Sequence, residues 1–229
     1  MAILKVKDSK ETIEVRNIFC VGKNYVDHIK EFDIPEKTAE ISKEPVIFLK
    51  PTSAIPNEPG IVKIPELDGK KISDNLQNEV EMVIVIGKDG TAIPESEAFN
   101  HIFGYAVGID FTLRDIQAEE KKKGLPWTTA KGFLTSAAVS EITKKEEVLN
   151  PETLNITLKI NDDLKQNSNT SLMIFKVKFI IHYISSIFGL QKGDLIFTGT
   201  PAGITKLNAG DIVEAEIEEI GNLKIKVRL

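Results

Sequence analysis

The sequence predicts an α+β fold that is mainly β. Three observations carry this. Short apolar runs stop at Gly, Pro and Asn clusters, several stretches alternate apolar with polar residues, and helical spacing is confined to a few segments. Residues 18–21 form the first apolar run, ending at Gly22, and residues 46–49 the next, ending at Lys50-Pro51. The run 79–86 is longer and stops at Gly87-Lys88-Asp89-Gly90, a turn cluster. Residues 103–109 follow, interrupted by Gly104 and Gly108. Leu154, Ile156, Leu158 and Ile160 then alternate with polar residues before Asn161-Asp162-Asp163 turns the chain. Val213, Ala215 and Ile217, a turn at Gly221-Asn222, and Leu223, Ile225, Val227 and Leu229 read as a terminal hairpin with one wet face. Helices are expected at 25–32, at 112–123 (stopped by Gly124 and Pro126) and at 171–188, where Ile174, Val177, Ile181, Ile184 and Phe188 recur at helical spacing before Gly189.

The chain has 229 residues, 41% hydrophobic and 28% charged, with a net charge of −5. This mild acidity argues against a nucleic-acid binder, which carries a basic patch. The single Cys20 excludes an internal disulfide and fits a reducing compartment. The opening Met-Ala-Ile-Leu-Lys-Val-Lys-Asp shows no secretory signal, and no run approaches the ~20 apolar residues of a membrane span, so the cytoplasm is the expected location. No internal repeat or linker divides the chain. The expectation is one catalytic domain over 17–229, with 1–16 as a short segment packed on it.

Chemistry enters with Glu79 and Glu81, two acids in what otherwise reads as a buried strand. Residues two apart on a strand share a face, with Cα atoms roughly 6.6 Å apart. Two like charges on a half-buried strand are unfavourable unless a positive group lies between them. Val83 and Val85 continue the same face, which argues against a solvated edge. Asp110 ends the next apolar run where a helix is expected to begin. It reads either as a helix N-cap or as a third ligand beside the two glutamates. Three carboxylates without an adjacent Cys or His make a hard oxygen site suited to Mg²⁺ or Mn²⁺.

Arg114 and Gln117 follow Asp110 by four and seven residues, so one helical side could bring both toward the ion. Arg suits a two-pronged grip on a substrate carboxylate, though from the residues alone an exposed surface helix is the better reading. The run Glu119-Glu120-Lys121-Lys122-Lys123 reads as a solvated face. His28 and Glu31, three apart, become neighbours on a helical turn, as a base oriented by a carboxylate requires. His101 and His182 show no comparable partner. Residues 32–44 are polar, carry Pro35, and form a candidate lid. Phe197-Thr198-Gly199-Thr200-Pro201-Ala202-Gly203 suggests a tight turn whose N–H and hydroxyl donors can bind an anion, though taken by itself it reads as an ordinary turn.

The order of these pieces is more specific than any of them. Val21-Gly22-Lys23-Asn24-Tyr25-Val26-Asp27-His28, Phe48-Leu49-Lys50-Pro51, Glu79-Val80-Glu81, Asp110 to Gln117, Lys131-Gly132-Phe133 and Thr198 to Gly203 together resemble the fumarylacetoacetate hydrolase family. The likeness is to its short acylpyruvate hydrolase and oxaloacetate decarboxylase branch, and it runs from about Asn17 to the C-terminus. The resemblance implies a mixed β-sandwich or roll with few helices, usually a homodimer. It also implies metal carboxylates at Glu79, Glu81 and Asp110, substrate contacts at Arg114, Gln117 and Thr200, with Lys50 a further contact, an active-site Lys131, and a His28–Glu31 dyad. The implied reaction is metal-dependent hydrolysis of a C–C bond in an acylpyruvate-type diketo acid. Oxaloacetate decarboxylation or tautomerisation, 2-hydroxyhepta-2,4-diene-1,7-dioate isomerisation and non-catalytic keto-acid binding are the alternatives. Gln77 and Asn78 stand where relatives often carry His, and Lys23 where many carry Arg, which loosens the inference about substrate.

Overall fold

The computed structural model describes residues 2–31, 42–57 and 60–228. Two sheets lie face to face. The larger runs, in spatial order, Ala137–Val139, Ile102–Asp110, Val80–Ile86, Leu195–Phe197, Ile18–Gly22 and Val46–Lys50, with Thr143–Lys144 also paired to Ile102–Asp110. Leu195–Phe197 is parallel to Ile18–Gly22 and antiparallel to Val80–Ile86. The second sheet runs Asp163–Asn169, Asn155–Ile160, Ile212–Ile217, Gly221–Arg228 and Ile61–Lys63.

Every residue of Val80–Ile86 is buried, because both faces of this strand are covered. Val80, Met82, Ile84 and Ile86 pack in one cluster with Ile156, Leu158, Val213 and Val227 of the second sheet. Val83 and Val85 pack on the opposite face with Cys20, Phe197 and, from the N-terminal pair Ile3–Lys5 and Thr12–Glu14, Leu4 and Ile13. Helix Val177–Phe188 buries Val177, Ile180, Ile181 and Ile184 in the first cluster. At about 1.5–3 kcal/mol per buried aliphatic side chain, this two-sided cover holds the central strand rigid up to its acidic end.

Several boundaries differ from the sequence expectation. The terminal hairpin turns at 218–220, with Glu219 at φ +60°; Gly221 and Asn222 already pair with Ile217 and Glu216. The second helix is Arg114–Lys123, because Thr112 and Leu113 pair with Gln77 and Leu76 instead. The last helix begins at Val177. Upstream of it Thr170–Leu172 form a separate 3₁₀ turn, and the backbone N–H groups of Ile174 and Phe175 donate to the Asn24 carbonyl and its side-chain oxygen. Asp163–Asn169, too polar to read as a strand, is one, since the second sheet needs only Gln166 of it fully inside. The short helix after the first strand is Val26–Lys30. Of the candidate lid, 32–41 lie outside the described residues.

Candidate active site

The acids stand where two central strands end side by side. Glu81 pairs across from Gly108, and the Asp110 N–H donates to the Glu79 carbonyl (2.8 Å). That register places Glu79, Glu81 and Asp110 on one face, the face continued by Val83 and Val85. All are buried, and each offers an oxygen within 4.8 Å of the others'. Asp110 is not a helix cap: Leu113 occupies that position, with no side-chain cap bond. Asp110 is therefore a strand residue, and Arg114 and Gln117 alone share the helix.

Cations and the chain's own donors apportion the charge. Lys131 Nζ lies 2.6 Å from Glu79 Oε2 and 2.7 Å from Asp110 Oδ2. Burial opposes its charge, but Asp110 and Glu79 outweigh burial and raise its pKa. Lys50 Nζ lies 2.7 Å from Asp110 Oδ1, yet its donors go to the carbonyls of Lys131 and Ser136 and to Ser136 Oγ, so no directed hydrogen bond reaches Asp110 Oδ1. Arg114 pairs with Glu79 through Nη2 and donates from Nε to Gln77 Oε1 (2.7 Å) and from Nη1 to Gln117 Oε1 (2.6 Å). Burial resists ionisation of Glu79, but Lys131, Arg114 and His28 overcome it and hold its carboxyl below the usual range. Glu81 goes the other way. Burial, then the negative charges of Asp110 and Glu79, push its pKa well up against Lys131 and the Gly199 N–H, which donates to Glu81 Oε2 at 2.6 Å.

His28 is buried and faces the acids. Its Nδ1 lies 2.8 Å from Glu31 Oε2, while Glu31 Oε1 accepts from the Gly203 N–H (2.6 Å), so the dyad is pinned from a turn far along the chain. Two backbone donors of 198–203 thus orient the protein's own acids, rather than a ligand as the sequence suggested. Both glycines are at positive φ, +96° and +106°. A Cβ on Gly203 would sit 2.0 Å from the Lys165 carbonyl oxygen. Thr200 keeps a cleft-facing hydroxyl, because its Oγ1 accepts from Gln166 Nε2 (2.8 Å) and its own proton is left to donate.

The residues singled out in the sequence come together. His28, Glu79, Glu81, Asp110, Arg114, Gln117, Lys131 and Thr200 line one cleft of about 400 Å³, part of it open to solvent, with Glu31 and Lys50 directly behind it. His182 instead bonds the Ile93 carbonyl, and His101 that of Lys88. Sequence reasoning missed Gln166, which accepts from Asn78 Nδ2 and the Val80 N–H and donates to Thr200 and the Pro201 carbonyl. It missed Asn24, whose amide ties the Thr198 and Phe175 carbonyls together. It also missed Lys121 and Trp127, both on the cleft wall.

Comparison with known proteins shows the family. The family model "Fumarylacetoacetate (FAA) hydrolase C-terminal" matches residues 17–228. The mitochondrial oxaloacetate tautomerase FAHD1 of Mus musculus is 44% identical over 213 residues, 93% of this chain and 92% of its own length. The crystal structure of fumarylpyruvate hydrolase from Pseudomonas aeruginosa in complex with Mn²⁺ and pyruvate superimposes with a TM-score of 0.90 at 32% identity, covering 100% of this chain and 96% of that one. A 2-hydroxyhepta-2,4-diene-1,7-dioate isomerase from Mycobacterium marinum gives 0.76 at 35% identity, covering 94% and 75%. The chain belongs to the fumarylacetoacetate hydrolase family, an enzyme family with a mainly β, α+β fold.

Proposed function

We propose that this protein is a divalent-metal-dependent hydrolase that cleaves a C–C bond in acylpyruvate-type diketo acids. The observation that carries the reading is the His28–Glu31 dyad, anchored by Gly203 and facing the acid cluster. The donor set fits a hard cation: three buried carboxylates converge, Glu81 is crowded by like charge, and Asp110 Oδ1 receives no directed hydrogen bond. Glu79, Glu81 and Asp110 would hold Mg²⁺ or Mn²⁺; the Mn²⁺ of the Pseudomonas aeruginosa structure supports this. Such an ion supplies Lewis-acid stabilisation of negative charge developing on a keto oxygen.

The chain's own groups do the rest. Arg114, Gln117 and Thr200 orient the keto-acid head, with Lys50 holding Asp110 and the Lys131 segment in place behind it. Glu31 accepts from Nδ1 of His28, and Nε2 takes the proton of a water attacking the distal carbonyl carbon. Hydroxide adds there and the neighbouring C–C bond breaks. Its electron pair goes to the pyruvate side, where a proton restores the keto acid, and the other product is a carboxylic acid. Lys131, held charged by Glu79 and Asp110, stabilises the negative charge on the pyruvate side. We include in the proposal a homodimer, which light scattering would detect, and a cytoplasmic location.

A second reading is supported by the 44% identity to an oxaloacetate tautomerase. The same base would move a proton between carbon and oxygen of oxaloacetate without water; dienoate isomerisation is a variant of that transfer, and decarboxylation, with loss of CO₂ to leave the same enolate, would use the site without the base. Acetylpyruvate and oxaloacetate given in parallel to the purified protein with Mg²⁺ or Mn²⁺ separate the two. Hydrolysis predicts loss of the diketo absorbance with pyruvate release, and His28→Ala should reduce it far more than any decarboxylation of oxaloacetate, which needs no base to activate water. Turnover of oxaloacetate alone selects the second reading.

A further inference from the structure

Lys50 carries a buried ammonium whose donors are all engaged. It reaches the Lys131 carbonyl, the Ser136 carbonyl (3.2 Å) and the Ser136 hydroxyl oxygen (3.1 Å). An ammonium has three N–H bonds, so these acceptors exhaust it. Asp110 Oδ1 lies closer than either Ser136 oxygen, at 2.7 Å, yet among the described residues no donor is directed at it. Asp110 thus receives the charge of Lys50 on one oxygen and a hydrogen bond from Lys131 (2.7 Å) on the other. Oδ1 has the positive field of an ammonium beside it and keeps its lone pairs.

Ser136 creates this arrangement. It is completely buried and supplies two of the acceptors that engage Lys50. Its hydroxyl donates to the Lys131 carbonyl (2.8 Å), and its carbonyl also accepts the N–H of Phe111 (2.9 Å), the residue after Asp110. The next residue, Ala137, pairs across the sheet with Asp110 itself. One serine therefore ties together Lys50, the Lys131 segment and the strand end that carries Asp110, without lining the cleft. The chain arrives at it through Thr135 at φ +73°, a conformation that is a rare outlier for a β-branched residue. Thr135 is held there from the second sheet, where the Lys63 N–H donates to its Oγ1 (3.0 Å). Backbone strain of this kind persists only where the surroundings enforce it, and it gathers at functional sites.

We propose that Ser136 is a positioning residue for the cation site: by engaging the donors of Lys50 it keeps Asp110 Oδ1 open as a ligand oxygen, while Lys50 still balances part of the acids' charge. Without the Ser136 hydroxyl one Lys50 N–H loses its acceptor, and Asp110 Oδ1 is the nearest replacement. A charge-assisted hydrogen bond there competes with a cation for the same oxygen. Loss of an outer partner of a ligating group typically weakens metal binding about 10–100-fold. The role rests on the metal reading above, and the test keeps the two apart. Electron paramagnetic resonance of free Mn²⁺ gives the Kd of the protein for the metal alone, with no substrate turned over. Ser136→Ala should raise that Kd about tenfold or more. In a Lys50→Met background the same substitution should change it no more than about twofold, because no ammonium is left to redirect. Thr143→Val is the purely structural control. It removes another buried hydroxyl, which donates to the Ile220 carbonyl (2.6 Å) beside Tyr105, in the first half of the strand that ends at Asp110. It should lower Tm and leave the Kd within about twofold of wild type. Ser136→Ala with a Kd within about twofold of wild type overturns the role, as does an equal rise in the Lys50→Met background or with Thr143→Val. A wild type that binds no Mn²⁺ sinks the metal assignment itself, and the role of Ser136 with it.

Discussion

Gln166 offers the sharpest test of how the site is built. It is completely buried, and its amide makes four hydrogen bonds: Oε1 accepts from Asn78 Nδ2 (2.9 Å) and the Val80 N–H (3.1 Å), and Nε2 donates to Thr200 Oγ1 (2.8 Å) and the Pro201 carbonyl (2.8 Å). Gln166→Leu keeps the shape and strands all four partners. A buried polar group left unpaired costs about 1–3 kcal/mol. With partial relaxation among neighbours that share one network, the net loss should be about 3–5 kcal/mol, a large part of a domain's ~5–15 kcal/mol. For a chain of this length, each kcal/mol lowers Tm by about 2–4 °C, so the drop should be roughly 6–20 °C by calorimetry. The functional effect is separate. Gln166 makes Thr200 a donor by filling an acceptor position of its hydroxyl. Without Gln166 that hydroxyl can turn its proton to the Pro201 carbonyl, so KM for a keto acid should rise about fivefold or more while metal binding survives. Gln166→Glu keeps the acceptor for Asn78 and Val80 but faces the Pro201 carbonyl with an oxygen, so it should raise KM in the same way. A Gln166→Leu protein with Tm within about 2 °C of wild type and an unchanged KM would refute the reasoning.

Three further outcomes follow from the same geometry. Metal-free protein should gain Tm on adding Mn²⁺ or Mg²⁺, as any ligand bound only by the folded state requires, and Glu81→Ala should abolish the gain in a thermal scan. Gly203→Ala, at φ +106° with a Cβ 2.0 Å from a carbonyl oxygen, must shift the turn that holds Glu31; it should reduce hydrolysis at least tenfold while leaving the Mn²⁺-induced rise in Tm. Asp115 is held below its ordinary pKa. Burial opposes ionisation, but the Ser73 hydroxyl and the N–H groups of Asp74 and Ile116 together outweigh it. The stabilisation is complete above the unfolded value of about 3.9 and is lost as pH falls through the depressed folded value. Asp115→Asn should therefore lower Tm at pH 7, and the deficit should shrink as pH falls below about 3.9 and through the depressed folded value.

What was legible in the sequence was whatever depends on near neighbours. Glu79 and Glu81 share a strand face by arithmetic, and His28 and Glu31 meet across one helical turn. Val83 and Val85 told that the face was buried before any partner was known. What was not legible depends on distant chain. Gln166 sits in the polar stretch Asp163–Asn169, and nothing local marks it as the one residue there that is fully enclosed. Gly203 bonds Glu31 across 172 positions. Thr112 and Leu113 were drawn out of a helical pattern by pairing with Gln77 and Leu76. Lys121 is a different case. It was read as one of a solvated run of lysines, although its spacing from Arg114 and Gln117 places it on their stripe. Charge runs conceal such a residue because exposure of its neighbours is the correct reading for them.

The turn 198–203 explains why one fold can host several reactions. Gly199 orients Glu81, one of the three clustered acids; Thr200 lines the cleft; Gly203 holds Glu31, the partner of His28. The groups to which we assign metal, substrate and base are thus fixed relative to one another by a few residues of backbone. The acids and Arg114 are anchored independently, by strand register and by the ion pairs to Lys131 and Lys50. A change in the turn or in the His28 helix can therefore alter which proton is moved, or whether water is activated, without disturbing the group that accepts negative charge. By this logic the acid cluster is the feature that hydrolase, tautomerase and isomerase have most reason to share. On the proposed mechanism, the choice among them rests on how the His28–Glu31 dyad is placed above it.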